Sequence, residues 1–201
     1  AIALRVPHIS AYGLTVEPNT ALEKMIRLRK REDTDTDQQA RQYMIAMERL
    51  EKAGYEHYEI SNWALPGRRS RHNSSYWKGI PYFGFGPSAH AYDGMSRRWN
   101  IAHNQRYIQA LDRGDLPFTE EILTPVQRFN ETVMIALRTM EGINLTALRA
   151  SWGDAITDEL IERARSFIME GLILQEKERI SLTRAGKLFA DGIAATLFRE
   201  G

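Results

Sequence analysis

Residues 36–60 read TDQQARQYMIAMERLEKAGYEHYEI, and this stretch decides the fold class of the chain. Apolar residues recur at helical spacing, Asp35 or Thr36 can cap the first turn, and Gly54 stands where a helix commonly ends. The pattern therefore predicts a helix over residues 36–53 and a strand over residues 55–60. An apolar stretch at residues 8–16 predicts an earlier strand, and strand, helix and strand in this order form the unit of α/β folds.

The second half of the chain is predicted to be mostly helical. Residues 124–127 read TPVQ, a capping box with proline at the first helical position. Further helices are predicted over residues 144–151 and 154–170, then a hairpin over 172–182 and a last helix capped by Thr183. Helix, helix, hairpin, helix is the order of a winged-helix-like domain. The expected fold is α/β plus α, with domains at residues 1–105 and 106–201.

The composition excludes several classes of protein. The 201 residues carry a net charge of +1, which does not indicate a general binder of polyanions. No apolar run is long enough to span a bilayer and the first residues lack the layout of a signal peptide, so we expect a cytoplasmic protein. The chain has no cysteine, which excludes disulfides, thiolate metal sites and thiol nucleophiles.

Residues 61–90 mix aromatic, glycine and polar residues without a clear period, and such long irregular stretches are usually functional. His72 can act as a metal ligand, an acid–base group or a hydrogen-bond donor. Asn73 can orient a ligand, and Tyr76 and Trp77 offer broad apolar faces that each carry a polar atom. A flat, largely apolar ligand with carboxylates or a metal would suit this mixture. Glycines 84 and 86 would let the backbone approach such a ligand closely.

Each of these residues taken singly also has a structural interpretation. A lone histidine is more often a satisfied structural residue than a ligand, and Tyr76 and Trp77 can simply close the end of a sheet. Glu59 can serve as a hydrogen-bond acceptor at the end of a strand. The density of such residues within one stretch, rather than any one of them, favours a functional site.

The run from residue 53 to residue 90 resembles the radical SAM haem chaperones, which are often labelled oxygen-independent coproporphyrinogen III oxidase-like. The similarity rests on AGY at 53–55, YEISNWA at 58–64, HNSSYW at 72–77 and GFGPSAH at 84–90. Further matches lie upstream at 8–20, and weaker ones lie in the second half. The resemblance implies the last strands and helices of a partial (β/α) barrel, followed by a helical C-terminal domain.

The resemblance also implies ligands and site residues. The family's His-Asn-x-x-Tyr-Trp motif, implicated in haem binding, falls on His72, Asn73, Tyr76 and Trp77. His72 is the expected axial ligand of haem iron, with Trp77 or Tyr76 packing on the porphyrin. A main-chain contact to S-adenosyl-L-methionine (SAM) in related enzymes would fall near Thr15. No catalytic residue is expected in this chain.

The absence of cysteine is a departure from the family. Its CxxxCxxC signature ligates a 4Fe-4S cluster whose open iron binds SAM, so this chain alone should form no such cluster and should not cleave SAM. Any enzymatic activity would belong to a longer parent protein. Truncation of the barrel would expose its edges, from which we expect self-association.

Three functions are in competition. The first is haem binding and transfer to acceptor proteins, which the His-Asn-x-x-Tyr-Trp motif favours. The second is coproporphyrinogen III oxidation in porphyrin biosynthesis. The third is a winged-helix nucleic-acid-binding module, which charge disfavours because residues 154–170 carry five acidic residues against two arginines.

Overall fold

The computed structural model describes residues 1–200, which form two compact units, Ala1–Ser70 and a second unit from Arg71 onward. The fold is mixed α/β. Each unit has its own sheet structure and its own buried core.

The first unit packs one long helix against a small antiparallel sheet. Strands β1 and β2 both pair with the central strand β3, in the order β1-β3-β2. Met47 and Leu50 of the helix pack with Tyr55 and Trp63 to form the core. In chain order the elements are a 3-10 helix at Ile2–Leu4, β1 at His8–Ser10, α1 at Ala21–Arg27, α2 at Thr36–Lys52, β2 at Glu56–Glu59 and β3 at Asn62–Ala64.

The sequence predicts α2 and β2 closely. The Asp35 side chain accepts a hydrogen bond from Gln38 N and caps α2, as expected. The strand predicted over residues 8–16 is wrong beyond Ser10, because the central strand offers partners only for His8–Ser10 and one further bond, Ala11 N to Ser61 O. Helix α1, which Thr20 caps, was not predicted.

The second unit begins with α3 at Arg71–Trp77, inside the stretch that the sequence pattern leaves irregular. A three-stranded antiparallel sheet in the order β4-β5-β6 follows. Its strands are β4 at His90–Tyr92, β5 at Ser96–Asn100 and β6 at Phe118–Ile122, with α4 at Asn104–Asp112 between β5 and β6. The predicted domain boundary, between residues 105 and 106, lies within α4. Strands β5 and β6, on either side of it in the chain, pair with each other.

The remaining elements form a helical layer with a second small sheet. They are α5 at Pro125–Arg138, β7 at Ile143–Asn144, α6 at Leu145–Trp152, α7 at Asp154–Met169, β8 at Ile173–Glu176, β9 at Arg179–Leu182, a 3-10 helix at Gly186–Phe189 and α8 at Ala190–Leu197. The sheet order is β7-β9-β8. Side chains that are almost wholly buried line the core between these elements: Phe129, Val133, Leu137, Leu145, Leu160, Ile180, Ile193 and Leu197.

Local signals in the sequence place these elements well. The capping box at Thr124 and Gln127 is present with both of its hydrogen bonds, and the predicted hairpin is β8 and β9. The last helix predicted after Thr183 begins as the 3-10 helix at Gly186–Phe189 and continues as α8. Phe189, at the end of the 3-10 helix, is more than half exposed.

Candidate functional site on helix α3

Helix α3 presents the predicted ligand-binding residues over two turns. His72 and Tyr76 are four residues apart and therefore share a face of the helix. The Tyr76 hydroxyl lies 3.2 Å from His72 Nε2, and the two rings meet edge to face with centroids 4.9 Å apart. His72 is exposed, whereas Asn73 and Tyr76 are half-buried. An accessible imidazole is thus held in place by a neighbouring phenol.

A row of aromatic rings continues from this pair. The Tyr76 ring meets the Tyr82 ring edge to face at 4.8 Å between centroids, and the Tyr82 ring lies 6.2 Å from that of Tyr92. Two backbone hydrogen bonds join Tyr82 and Tyr92, so the spacing of these rings is fixed by the main chain. Burial raises the pKa of both phenols, which keeps them protonated at neutral pH.

Trp77, at the end of α3, lies away from the His72 face and lines a cavity of about 340 Å³. The Arg138 guanidinium stacks over its ring, 5.4 Å from the centroid. The cavity is further lined by the two residues after α3, by the end of β4 and the turn after it, by α5 and by the end of α6: Lys78, Gly79, Tyr92, Gly94, Arg128, Glu131, Thr132, Ile135, Ala136 and Trp152. One face of the Trp77 ring is therefore covered by the Arg138 side chain.

Gly84 lies against another segment of the chain, whereas a Cβ at Gly86 would meet no atom within 4 Å. A side chain at Gly84 would place its Cβ 2.2 Å from the backbone oxygen of His90, so the close approach is between two segments of this protein. The Asn100 amide donates to the backbone oxygens of Gly84 and Gly86. The expectation that Gly84 makes room for a ligand is therefore replaced by a packing role. Phe83 and Phe85 on the same loop are 87% and 89% exposed.

Residues 58–64, which also carry the family resemblance, lie in the first unit and are largely buried. Glu59 is 1% exposed and accepts hydrogen bonds from Ser61 N, at 3.0 Å, and from the Asn62 side-chain amide. The Ser10 hydroxyl donates to Asn62 Oδ1 at 2.6 Å, which ties β1 to β3. These contacts support the structural interpretation of Glu59 as an acceptor at a strand end.

Two histidines of the first unit also have structural partners. His57 stacks on Trp63 with centroids 4.2 Å apart and planes 13° from parallel, a pair that sequence reasoning did not identify. His8 Nε2 lies 2.8 Å from the Tyr58 hydroxyl, and burial lowers the pKa of His8. Alternation along short strands gives no signal for such cross-strand ring pairs.

Thr15, the predicted position of a SAM contact, is an exposed residue of the segment that follows β1. The preceding Leu14 accepts a hydrogen bond from the Gln39 amide through its backbone oxygen. Leu14 and Gln39 line a cavity of about 430 Å³ together with Tyr12, Asp35 and Tyr43. Thr15 thus directly follows a residue that lines a cleft of the first unit, whereas His72 to Trp77 belong to the second.

Neither a metal centre nor a membrane-spanning helix is found among the residues that the structure describes. Residues 1–200 contain no group of three or more histidine, aspartate or glutamate side chains arranged to hold a metal ion. Within the same residues, no helix combines the length and the apolar character needed to cross a membrane. With no cysteine in the sequence, this chain has no thiolate to offer an iron–sulfur cluster.

Comparison with known proteins identifies the relatives of the chain. The family described as the HemN C-terminal domain matches residues 123–189. A Mycobacterium tuberculosis protein named "Heme chaperone HemW" is 36% identical over 98% of this chain and 49% of its own length. A Bacillus subtilis protein of the same name is 30% identical over 100% of this chain and 53% of its own length.

A solved structure shares the fold. It is titled "Coproporphyrinogen III oxidase (HemN) from Escherichia coli is a Radical SAM enzyme", and it matches with a TM-score of 0.74 over 98% of this chain and 49% of its own. At 16% sequence identity, this likeness shows the fold alone. The chain spans about half the length of the relatives it matches. Over nearly all of its length the chain is therefore similar to part of the proteins named HemW, and its residues 123–189 match the HemN C-terminal domain family. These matches confirm the family resemblance predicted from residues 53–90.

Proposed function

We propose that this chain binds haem or a related porphyrin at helix α3, with His72 as the axial ligand of the iron. The observation that carries the proposal is the exposed His72 imidazole, which Tyr76 orients at the end of the row of aromatic rings. Neutral imidazole is a common axial ligand of haem iron, and aromatic rings pack well on a porphyrin. The name "Heme chaperone HemW", borne by relatives over the whole chain, supports the same ligand.

The arrangement of α3 fits an exchangeable ligand. Because Tyr76 lies at His72 Nε2, iron would either replace the Tyr76 hydroxyl at that nitrogen or bind at Nδ1. The second choice would leave Tyr76 holding the other ring nitrogen, as partners of metal-bound histidines commonly do. Asn73 on the same helix would orient the ligand. The exposure of His72 supports release to acceptor proteins, since a partner could reach the ligand without unfolding the site.

Roles that need a longer protein are proposed for such a protein only. A 4Fe-4S cluster and SAM would be held mainly by residues outside this chain, with Thr15 as a main-chain contact at the cleft of the first unit. The alternative function, coproporphyrinogen III oxidation, shares this scaffold and draws support from the HemN C-terminal domain match and from the similarity of fold to HemN. Self-association through barrel edges stays a prediction.

We also propose the finer descriptions of the fold, a partial (β/α) barrel followed by a winged-helix-like domain, which the element order supports. Strands β1 and β2 run in the same direction with α2 between them, as in a (β/α) barrel, although β3 lies between the two strands. Helix α5, β7, α6, α7 and the β8–β9 hairpin follow the order of a winged helix. Nucleic-acid binding is disfavoured, because Arg163 and Arg165 of α7 are paired with Glu159 and Glu162.

A haemin titration followed by absorption spectroscopy tests the proposal. We expect a shifted Soret band on the 201-residue chain, and a weaker shift with His72→Ala, because the axial nitrogen is lost. His103→Ala is a matched control, since His103 is exposed and caps α4 in the same unit. An unchanged Soret band in the original chain, or equal spectra for the chain and His72→Ala, would contradict the proposal.

A further inference from the structure

Unsatisfied polar atoms concentrate around the cavity beside Trp77. Among residues 1–200, five buried side-chain nitrogen or oxygen atoms have no hydrogen-bond partner. Three of them belong to residues that line this one cavity: Trp77 Nε1, Arg128 Nε and Glu131 Oε2. Leaving a buried polar atom unpaired costs free energy, so native proteins rarely keep several together. The concentration indicates a site that a polar ligand group completes.

The charges around the cavity favour an anion. Lys78 and Arg128 bring two cations to the lining, against the single carboxylate of Glu131. The Arg97 guanidinium, 2.6 Å from Glu131 Oε1, already neutralises that carboxylate. Two of the three unpartnered atoms are N–H donors, and a carboxylate offers two acceptor oxygens for them. The third unpartnered atom, Glu131 Oε2, is an acceptor and is not used by this carboxylate.

The body of the cavity is aromatic and continuous with α3. Trp77, Tyr92 and Trp152 line it, and the Arg128 guanidinium lies 6.0 Å from the centroid of the Trp152 ring. Tyr92 is also the last ring of the row that starts at His72 and Tyr76. The row of aromatic rings therefore extends from the proposed axial ligand, His72, to the cavity that Lys78 and Arg128 line. A ligand with a flat apolar body and a carboxylate arm matches both ends.

We propose that this cavity binds a propionate carboxylate of the haem, through Trp77 Nε1–H and the Arg128 guanidinium. The inference rests on the proposed function, in which His72 of the same unit binds the iron. It also gives the bound porphyrin an orientation, with its propionate side directed toward α5. It also makes Arg128 a determinant of specificity for porphyrins that keep their carboxylates.

The test compares haemin with haemin dimethyl ester, whose propionates cannot ionise. We expect the chain to bind the ester about tenfold to a hundredfold more weakly, the range for a hydrogen bond to a charged group. Arg128→Gln and Trp77→Phe should each weaken haemin binding and reduce the difference between the two ligands. Arg128→Gln should leave the position of the Soret band unchanged. Arg106→Gln, which removes an exposed cation of α4, should behave as the original chain does.

The outcomes separate this inference from the proposed function. If haemin and its ester bind equally with a shifted Soret band, the cavity holds only water and this inference fails, while His72 remains the ligand. If neither shifts the band, both are contradicted. Should Arg128→Gln fail to fold, Trp77→Phe decides, since it keeps an aromatic ring and removes the N–H. Trp77→Phe with undiminished discrimination between the two ligands would overturn the proposal.

Discussion

Replacement of Gly186 by alanine should destabilise the second unit. Gly186 opens the 3-10 helix that follows the β8–β9 hairpin, and a Cβ there would lie 1.9 Å from the backbone oxygen of Leu172. That oxygen accepts a hydrogen bond from Thr183 N at 2.9 Å, and Leu172 N donates to Phe167 O. The obstacle is therefore backbone that is held from both sides, which cannot move aside as a flexible side chain would.

The size of the effect follows from this contact. Forcing extra atoms into a packed region costs about 1–3 kcal/mol, and occasionally more, and a contact of 1.9 Å lies at the upper end. With an m-value of about 2 kcal/mol/M in urea, a loss of about 3 kcal/mol lowers the unfolding midpoint by about 1.5 M. Urea titration followed by circular dichroism at the helical band measures that shift.

Gly192→Ala provides the matched control. Gly192 lies within α8, six positions after Gly186, and a Cβ there meets no atom within 4 Å. Alanine in the interior of a helix is more stable than glycine by about 0.5–1 kcal/mol, so this variant should unfold at a higher urea concentration. Equal midpoints for Gly186→Ala and the original chain would refute the reasoning, as would a loss of stability in Gly192→Ala.

Two further predictions concern protonation and capping. Because burial lowers the pKa of His8 below its ordinary 6.5, the unfolded chain binds this proton more readily than the folded one, and stability should fall as the pH drops from 6.5 toward that lowered pKa. His8→Gln should flatten this dependence in urea titrations at about pH 7.5 and 5.5; a dependence of equal slope in both proteins would contradict the assignment. Thr124→Ala removes the side chain that caps α5 and should cost about 1 kcal/mol, measured by the same titration, whereas Thr196→Ala, at an exposed position inside α8, should cost less. Equal losses for the two threonines would show that the capping box contributes nothing.

The candidate site was predictable in its residue types but not in its arrangement. The motif at residues 72–77 was recognisable from sequence, and the structure shows that His72 and Tyr76 contact each other while Trp77 lies elsewhere on the helix. Arg128 and Trp152 carried no such signal. They lie about 50 and 75 positions beyond the motif and reach Trp77 only through the packing of α5 and α6.

The sequence by itself determined the helices with local caps and a clear apolar period, α2, α5, α6 and α7, together with the β8–β9 hairpin. These elements depend on residues within a few positions of one another, so their signals are local. Tertiary structure decided what depends on distant partners: the end of β1 at Ser10, the burial of Glu59 and the pairing of β5 with β6. It also decided which charges surround Trp77. The physical reason is that strand pairing, burial and cavity lining are set by contacts between residues far apart in the chain, which composition and period do not encode.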